Sequence, residues 1–405
     1  MENLLSYGIF KYLWVVILMP KTVQFVILFL LSFFYLLKSG FSISKVTISF
    51  LMFIFVYLLA IIYNLIVNQD IEVERVLAAV NVVGMWILSL IAYCYYYQNK
   101  IEFSKVKKYM FINMTIMIIF SILFIFIRYQ TNIYILGRPL AQIDWLSTGQ
   151  TERFSGFLEY ANLISFFYLL ILPLSLLHII ENKKIYFLAF TGLSFIPIIA
   201  SNSRVTLIAI LFAMAFLLFF YLFNSQQRTL ILVQLLLLSV MVFILYSDEI
   251  GIILYDFFNA RSGSNALRFM VYEESLRLVF QRSPFIGLGI RESFSPTAHL
   301  GTHSTYVGII FRTGIIGAFF FYSQFLTQIG KLINKLQKSG YISFLGFIIA
   351  FLVVIMFEDI DGSNWVLYML FIYLGMICAQ DSPKPQLNIE KLFKQRRVDL
   401  ESFSN

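Results

Sequence analysis

Long apolar runs, separated by short charged stretches, decide what this chain can become. About twelve segments are long enough, or nearly so, to cross a bilayer, which takes about 20 mostly apolar residues. They lie at approximately 4–19, 22–37, 44–67, 76–97, 109–128, 157–180, 185–200, 204–223, 229–246, 304–328, 341–357 and 363–380. A mean hydropathy of +0.83 excludes an ordinary soluble domain. The expected fold class is therefore all-α, a polytopic membrane protein. The first segment contains Lys11 and lacks a small-residue cleavage site, so it is expected to be a retained helix and not a signal peptide.

Alternate threading of these segments separates the two kinds of cation. Fourteen of sixteen lysines fall on one side, and eleven of fourteen arginines, counting Arg312, fall on or near the other. Lysine on the inner face follows the positive-inside rule, which puts both termini in the cytoplasm for an even number of spans. Arginine gathered on the outer face has no such explanation. Guanidinium grips phosphate oxygens in pairs, so the outer face is expected to hold an anionic, phosphorylated substrate. The basic residues split between two faces and no nucleic-acid motif is present, which excludes nucleic acid as a partner.

The organisation expected is an N-terminal group of about five helices with a first outer loop (1–150), central helices (151–246), a long outer loop (247–303), C-terminal helices (304–380) and a basic cytoplasmic tail (381–405). The long loop carries one helical pattern. Ser264 or Asn265 would cap it, Leu267, Met270, Val271, Leu278 and Val279 would form its apolar face, and Arg268, Glu274 and Arg277 its polar side. Pro284 and the Gly287-Leu-Gly289 stretch would end it, leaving an amphipathic helix near the membrane surface.

Within this frame five arginines are candidates for phosphate: Arg153, Arg204, Arg261, Arg268 and Arg312. Arg204 and Arg312 lie at or inside apolar segments, where a cation is costly and marks a functional cavity. Arg128, Arg138, Arg277 and Arg282 read as anchors or loop ion pairs. Glu159 and Asn162 sit one turn into a segment. The acid is either catalytic or an ion-pair partner of Arg153 or Arg204. His303 stands where the long loop enters the next segment and is the candidate for taking a proton from an attacking hydroxyl. His299 and His303 have i,i+4 spacing, but no glutamate between them and no third ligand, so no metal and no cofactor is expected. Cys94 and Cys378 fall inside apolar segments and imply no disulfide.

The order of motifs is Arg153-x-x-Gly156 before a helix, Ser203-Arg204 opening a later one, then Pro284-Phe-Ile-Gly287-Leu-Gly289, His303-Ser-Thr-Tyr306 and Arg312-Thr-Gly314-Ile-Ile-Gly317. From about 150 to 320 this resembles the O-antigen polymerase and O-antigen ligase superfamily of bacterial polysaccharide assembly. The family's His-Asn pair stands here as His303-Ser304, and its loop-helix aromatic as Tyr272. The resemblance implies a metal-independent, GT-C-like membrane glycosyltransferase whose donor and acceptor are oligosaccharides on undecaprenyl pyrophosphate. The arginines would stabilise the departing pyrophosphate and His303 would ready the acceptor hydroxyl, with Glu159, Asn162, Ser203, Tyr272 and Ser304 in support. A chain-length regulator and a flippase would be partners.

The activity expected is a polymerase joining repeat units into capsule or O-antigen. A Phe-, Ile-, Tyr- and Lys-rich composition fits an AT-rich genome such as that of a Gram-positive cell, which has no lipid core for a ligase. The alternatives are an O-antigen ligase and a flippase of lipid-linked sugars. A flippase predicts internal repeats and charges along a central path, and the sequence has neither.

Overall fold

The computed structural model describes residues 2–41, 44–68, 71–99, 101–127, 133–143, 152–182, 186–223, 262–295 and 298–379. Arg261, the segment at 229–246 and the basic tail lie outside the described residues.

The chain is all-α and polytopic. In order, its helices are α1 (Glu2–Lys11), α2 (Leu13–Leu18), α3 (Lys21–Ser39), α4 (Lys45–Val67), α5 (Val73–Gln98), α6 (Phe103–Ile127), α7 (Ile164–Asn182), α8 (Phe187–Ser201), α9 (Arg204–Phe223), α10 (Ser262–Arg282), α11 (Thr305–Lys338), α12 (Leu345–Val354) and α13 (Asn364–Ala379). Six membrane-length apolar helices are present among the described residues, and four shorter apolar helices accompany them. Among the described residues, three two-stranded hairpins decorate the loops: β1 (Tyr134–Ile135) with β2 (Arg138–Pro139), β3 (Ala141–Ile143) with β4 (Glu152–Phe154), and β5 (Ser293–Ser295) with β6 (Ala298–His299).

The segment at 4–19 divides at Tyr12 into α1 and α2. The one expected at 157–180 begins as a tight turn and a 3-10 helix, Ala161–Leu163, before α7. Helix α11 runs ten residues past its expected end at 328, because the polar residues after Phe325 keep helical periodicity up to Ser339.

The interior is built around α13, whose residues from Asn364 to Met376 are all buried. It lies against α5 so closely that a Cβ on Gly375 would meet the Tyr93 carbonyl oxygen at 2.6 Å. In lipid such packing is held by dispersion and by polar contacts between helices, because the tails outside are as apolar as the interior. Tyr35 supplies both: its ring stacks on Tyr95 with centroids 4.1 Å apart, and its hydroxyl donates to the Leu5 carbonyl at 3.0 Å. The lateral surface is apolar, with Phe126 81% and Phe319 67% exposed, as a lipid-facing belt requires.

The two ends of the bundle differ. At one, Lys107 pairs with Glu181, Tyr341 bonds Glu181, and Lys335 donates to the Ile377 carbonyl. At the other, arginines and carboxylates gather around the connection between α12 and α13.

Helix α11 breaks at Gly314 (φ 59°, ψ −164°), and the break is filled by residues 284–289. The Phe311 and Arg312 carbonyls accept from Leu288 N at 2.8 Å and Gly289 N at 3.1 Å. In return, Ile315 N and Ile316 N donate to the Pro284 and Phe285 carbonyls at 2.9 and 3.1 Å. Four backbone groups that a kink would leave bare in an apolar setting are thereby satisfied. The approach demands glycine: a Cβ on Gly287 would stand 2.5 Å from Gly314 N, and one on Gly289 2.5 Å from Ile61 N of α4.

Candidate functional site

The connection between α12 and α13 carries Glu358, Asp359 and Asp361, all buried (4%, 6% and 7% exposed). Thr305, at the start of α11, fixes its shape. Its hydroxyl donates to the Glu358 carbonyl at 2.8 Å and accepts from Ile360 N at 3.0 Å. Buried carboxylates need cationic or hydrogen-bonding partners, and each of these finds an arginine.

Glu358 Oε1 accepts from Arg268 Nη2 of α10 at 3.1 Å and from Asn162 Nδ2 at 2.8 Å. Asn162 Oδ1 in turn accepts from Arg153 Nη2 at 2.9 Å, and Arg153 Nε donates to the Ser201 carbonyl at 2.9 Å. Asp359 Oδ2 accepts from Arg291 Nη2 at 3.0 Å. Asp361 Oδ1 accepts from Arg312 Nη1 at 2.9 Å and from Arg291 at 3.4 Å, while its Oδ2 takes the Trp86 indole N–H at 3.2 Å. Burial raises the Glu358 and Asp359 carboxyls above the usual range, against the pull of these arginines.

His303 adjoins this cluster. Its backbone is left-handed (φ 63°), an uncommon state for a residue with a Cβ, and it precedes the Ser304 cap of α11. The Tyr272 hydroxyl donates to the His303 carbonyl at 2.6 Å. Burial, with Arg268 and Arg291 nearby, pushes the imidazole down to about 4. The ring is therefore neutral at neutral pH, the form in which a nitrogen accepts a proton.

The structure thus brings together Arg153, Asn162, Arg268, Tyr272, His303 and Arg312. Arg204 opens α9, three residues past the Ser201 that holds Arg153, and Ser203 between them is buried and accepts from Thr206 Oγ1 at 2.8 Å. The Ser304 hydroxyl serves as a helix cap, accepting from Val307 N at 3.4 Å. Arg312 is 1% exposed, and its Nε and Nη2 have no hydrogen-bond partner among the described residues.

Several expectations need correction. Glu159 pairs with neither Arg153 nor Arg204. Its Oε1 accepts from Arg138 at 3.3 Å and Gln24 at 3.1 Å, and its Oε2 from Trp365 at 3.4 Å. Arg138 is a loop ion-pair partner, as read from the sequence, and the acid it holds is nearly buried. Met270 is not on the packed face of α10. It and Phe269 are exposed, while Val271, Leu278 and Val279 are buried, because the helix leans on α11 through its Val271/Leu278 side. His299 lies on strand β6 and His303 beyond the following turn, so the i,i+4 spacing does not place them on one helix face.

Sequence reasoning missed Arg291 and gave the 358–361 carboxylates no role in the site. The available signal was three acids within four residues between two apolar helices. Among the described residues no three His, Cys, Asp or Glu side chains gather as metal ligands do.

Arg291 also lines a polar cleft of about 670 Å³, together with Asn64, Glu72, Arg75, Arg282 and Glu292. The cleft is rich in paired donors and acceptors: Arg282 bonds Glu292 at 2.9 Å and Arg75 bonds Glu72 at 2.7 Å.

Residues 189–322, about a third of the chain, match the family model for O-antigen ligase. The match is consistent with the O-antigen ligase and polymerase superfamily. The match spans α8, α9, α10 and most of α11, so it takes in Arg204, Arg268, Tyr272, Arg291, His303 and Arg312. It does not reach Arg153, Asn162 or the carboxylates at 358–361. The chemistry it supports is glycosyl transfer in a membrane, on lipid-linked saccharides, of the O-antigen ligase and polymerase type. Among curated proteins, none matches the chain.

Proposed function

We propose that the chain is a polysaccharide polymerase of the plasma membrane's outer face. It would transfer a growing glycan from undecaprenyl pyrophosphate to a sugar hydroxyl on the next lipid-linked repeat unit. The observation that carries this reading is the placement of His303, held through its carbonyl by Tyr272 of α10, beside the Arg268 and Arg291 guanidiniums. A base without charge and cations without excess solvent are what such a transfer needs.

The acceptor hydroxyl attacks the anomeric carbon as the bond to the pyrophosphate oxygen breaks. Its proton passes to His303, and the electron pair of the broken bond leaves on the pyrophosphate. Arg268 and Arg291 keep 15% and 29% of their side-chain surface and can meet those oxygens. Arg153 and Arg204 extend the cationic wall from the α8–α9 side. Arg312 is enclosed, so its role is positional: through Asp361 it sets Arg291. Asn162 sets Arg153 against Glu358. The polar cleft beside Arg291 suits the hydroxyl-rich surface of a saccharide.

The family description favours a second reading, an O-antigen ligase that hands finished glycan to a lipid core. Purified chain in proteoliposomes with lipid-linked repeat units as the only glycan separates the two. A polymerase makes longer lipid-linked glycan and releases undecaprenyl pyrophosphate. A ligase makes product only when a core acceptor is added. Retention of glycosidic bond formation in His303→Ala, Arg268→Ala and Arg291→Ala alike would reject both.

A further inference from the structure

Helix α10 does more than carry Arg268. Tyr272, Ser275 and Val279 recur at i, i+3 and i+7, so they lie on one face of it. The turn that ends in His303 is seated on that face at three points. Leu300 packs with Leu278 and Val279 of α10, Leu288 of the loop and Phe311 of α11. The buried N–H of Gly301 donates to Ser275 Oγ at 2.8 Å. The His303 carbonyl accepts from the Tyr272 hydroxyl at 2.6 Å.

Ser275 is a serine inside a helix, with no exposed surface. Its hydroxyl donates to the Val271 carbonyl one turn back. With its one proton committed there, the oxygen meets the turn only as an acceptor. Phe311 closes on the same peptide: Gly301 has φ 71°, and a Cβ there would meet Phe311 Cδ1 at 2.5 Å. Two residues on, His303 is left-handed (φ 63°), a conformation that persists only where its neighbours over-determine it.

We propose that Ser275 is a positioning residue for His303: by fixing the Gly301 N–H it sets how deeply the imidazole is held beside Arg268 and Arg291. The proposal rests on the base role of His303. Ser275 is fully enclosed and acts through the turn, without touching substrate. The groups facing the imidazole are Arg268 of α10, Arg291 of the loop and His299 of the same turn, and all oppose its protonation, as burial does. A slackened turn lets water reach the ring, so its titration moves up toward the ordinary 6.5. A serine that only supports α10 would leave that titration where it is.

The test uses the full chain in lipid nanodiscs with isotope-labelled histidine, as wild type, Ser275→Ala and Ser275→Thr. The chain has three histidines, so the His303 signal is assigned by its loss in His303→Ala. Glycan synthesis and thermal unfolding are measured on the same preparations. Ser275→Ala should raise the His303 titration by about one pH unit. It should lower kcat roughly tenfold, as one lost hydrogen bond to a buried group would, with KM unchanged within about twofold. Ser275→Thr keeps the oxygen and should restore both. If Ser275→Ala does not fold, Ser275→Cys keeps the volume, weakens the acceptor and carries the same readouts. A lowered unfolding temperature with an unmoved His303 titration would overturn the proposal. Wild-type kcat in Ser275→Ala beside an inactive His303→Ala would overturn it too. A shifted titration with His303→Ala still active would reject the base role and support the grip of Ser275 on the turn.

Discussion

The hydroxyl of Tyr272 donates to the backbone carbonyl of His303 at 2.6 Å, joining α10 to the strained residue that precedes α11. Tyr272→Phe removes that bond and leaves the ring in place. A lost hydrogen bond of about 1 kcal/mol or slightly more corresponds to a roughly tenfold fall in turnover. Thermal stability should change little. Steady-state glycan synthesis and an unfolding curve in detergent, measured on the same preparation, check this.

His303 predicts an unusual acid limb. The groups around it, Arg268, Arg291 and His299, all oppose its protonation, as does burial. Activity should therefore persist as pH falls below the ordinary histidine value of 6.5 and decline only as it passes through about 4. Between those values the unfolded chain takes up the proton first, so stability also erodes with acidification. Arg268→Gln removes one opposing cation and should shift the His303 titration upward, which histidine NMR would read directly.

The Arg312–Asp361 pair is 1% exposed on both sides. Arg312→Ala leaves the buried Asp361 carboxylate with only the longer Arg291 contact and the Trp86 indole, and Asp361→Asn takes the paired carboxylate from a buried guanidinium; either should cost about 3 kcal/mol. Replacing both, Arg312→Met with Asp361→Asn, should recover much of that in a thermal melt. Glycan synthesis should stay low in the double variant, because Arg291 also relies on Asp361.

Gly308 lets the Arg312 side chain pass. A Cβ there would stand 2.9 Å from Arg312 Nη2 and 3.1 Å from Asp359 Oδ1. Gly308→Ala should therefore displace the guanidinium and reduce activity more than a surface glycine change such as Gly330→Ala, where a Cβ meets nothing within 4 Å. Paired activity measurements on the two variants decide it.

Gly287→Ala places a methyl group 2.5 Å from the backbone of α11 at the Gly314 break, in a left-handed conformation that already costs a non-glycine residue about 1–2 kcal/mol. It should lower the unfolding temperature and the yield of folded protein. Gly340→Ala, also left-handed but with open space around it, should show only the conformational part.

How far these features could be read in advance depends on how local their causes are. The membrane helices follow from runs of consecutive apolar residues, and α10 from a 3.6-residue spacing, so both are legible. The exposed side of α10 is not, because Phe269 and Met270 are as apolar as the Val271 they adjoin and only α11 chooses between them. The Gly314-Ile-Ile-Gly317 stretch suggests close helix packing, and its true role depends on a turn some thirty residues earlier. The site suffers most from distance. Asn162 meets Glu358 across 196 residues and Arg291 meets Asp359 across 68, and no periodicity encodes such pairings. Residue chemistry singled out His303 and the arginines; only the fold shows that Arg268 and Arg312 are already bound to carboxylates.

The backbone exchange at Gly314 has one more consequence. Because residues 284–289 complete the broken ladder of α11 and also touch α4, helix α10 is tethered at its C-terminal end to two transmembrane columns. A flap closing over the donor would have to tear those bonds in a setting with no water to replace them. Admission of a bulky glycan would have to be managed by some other part of the molecule.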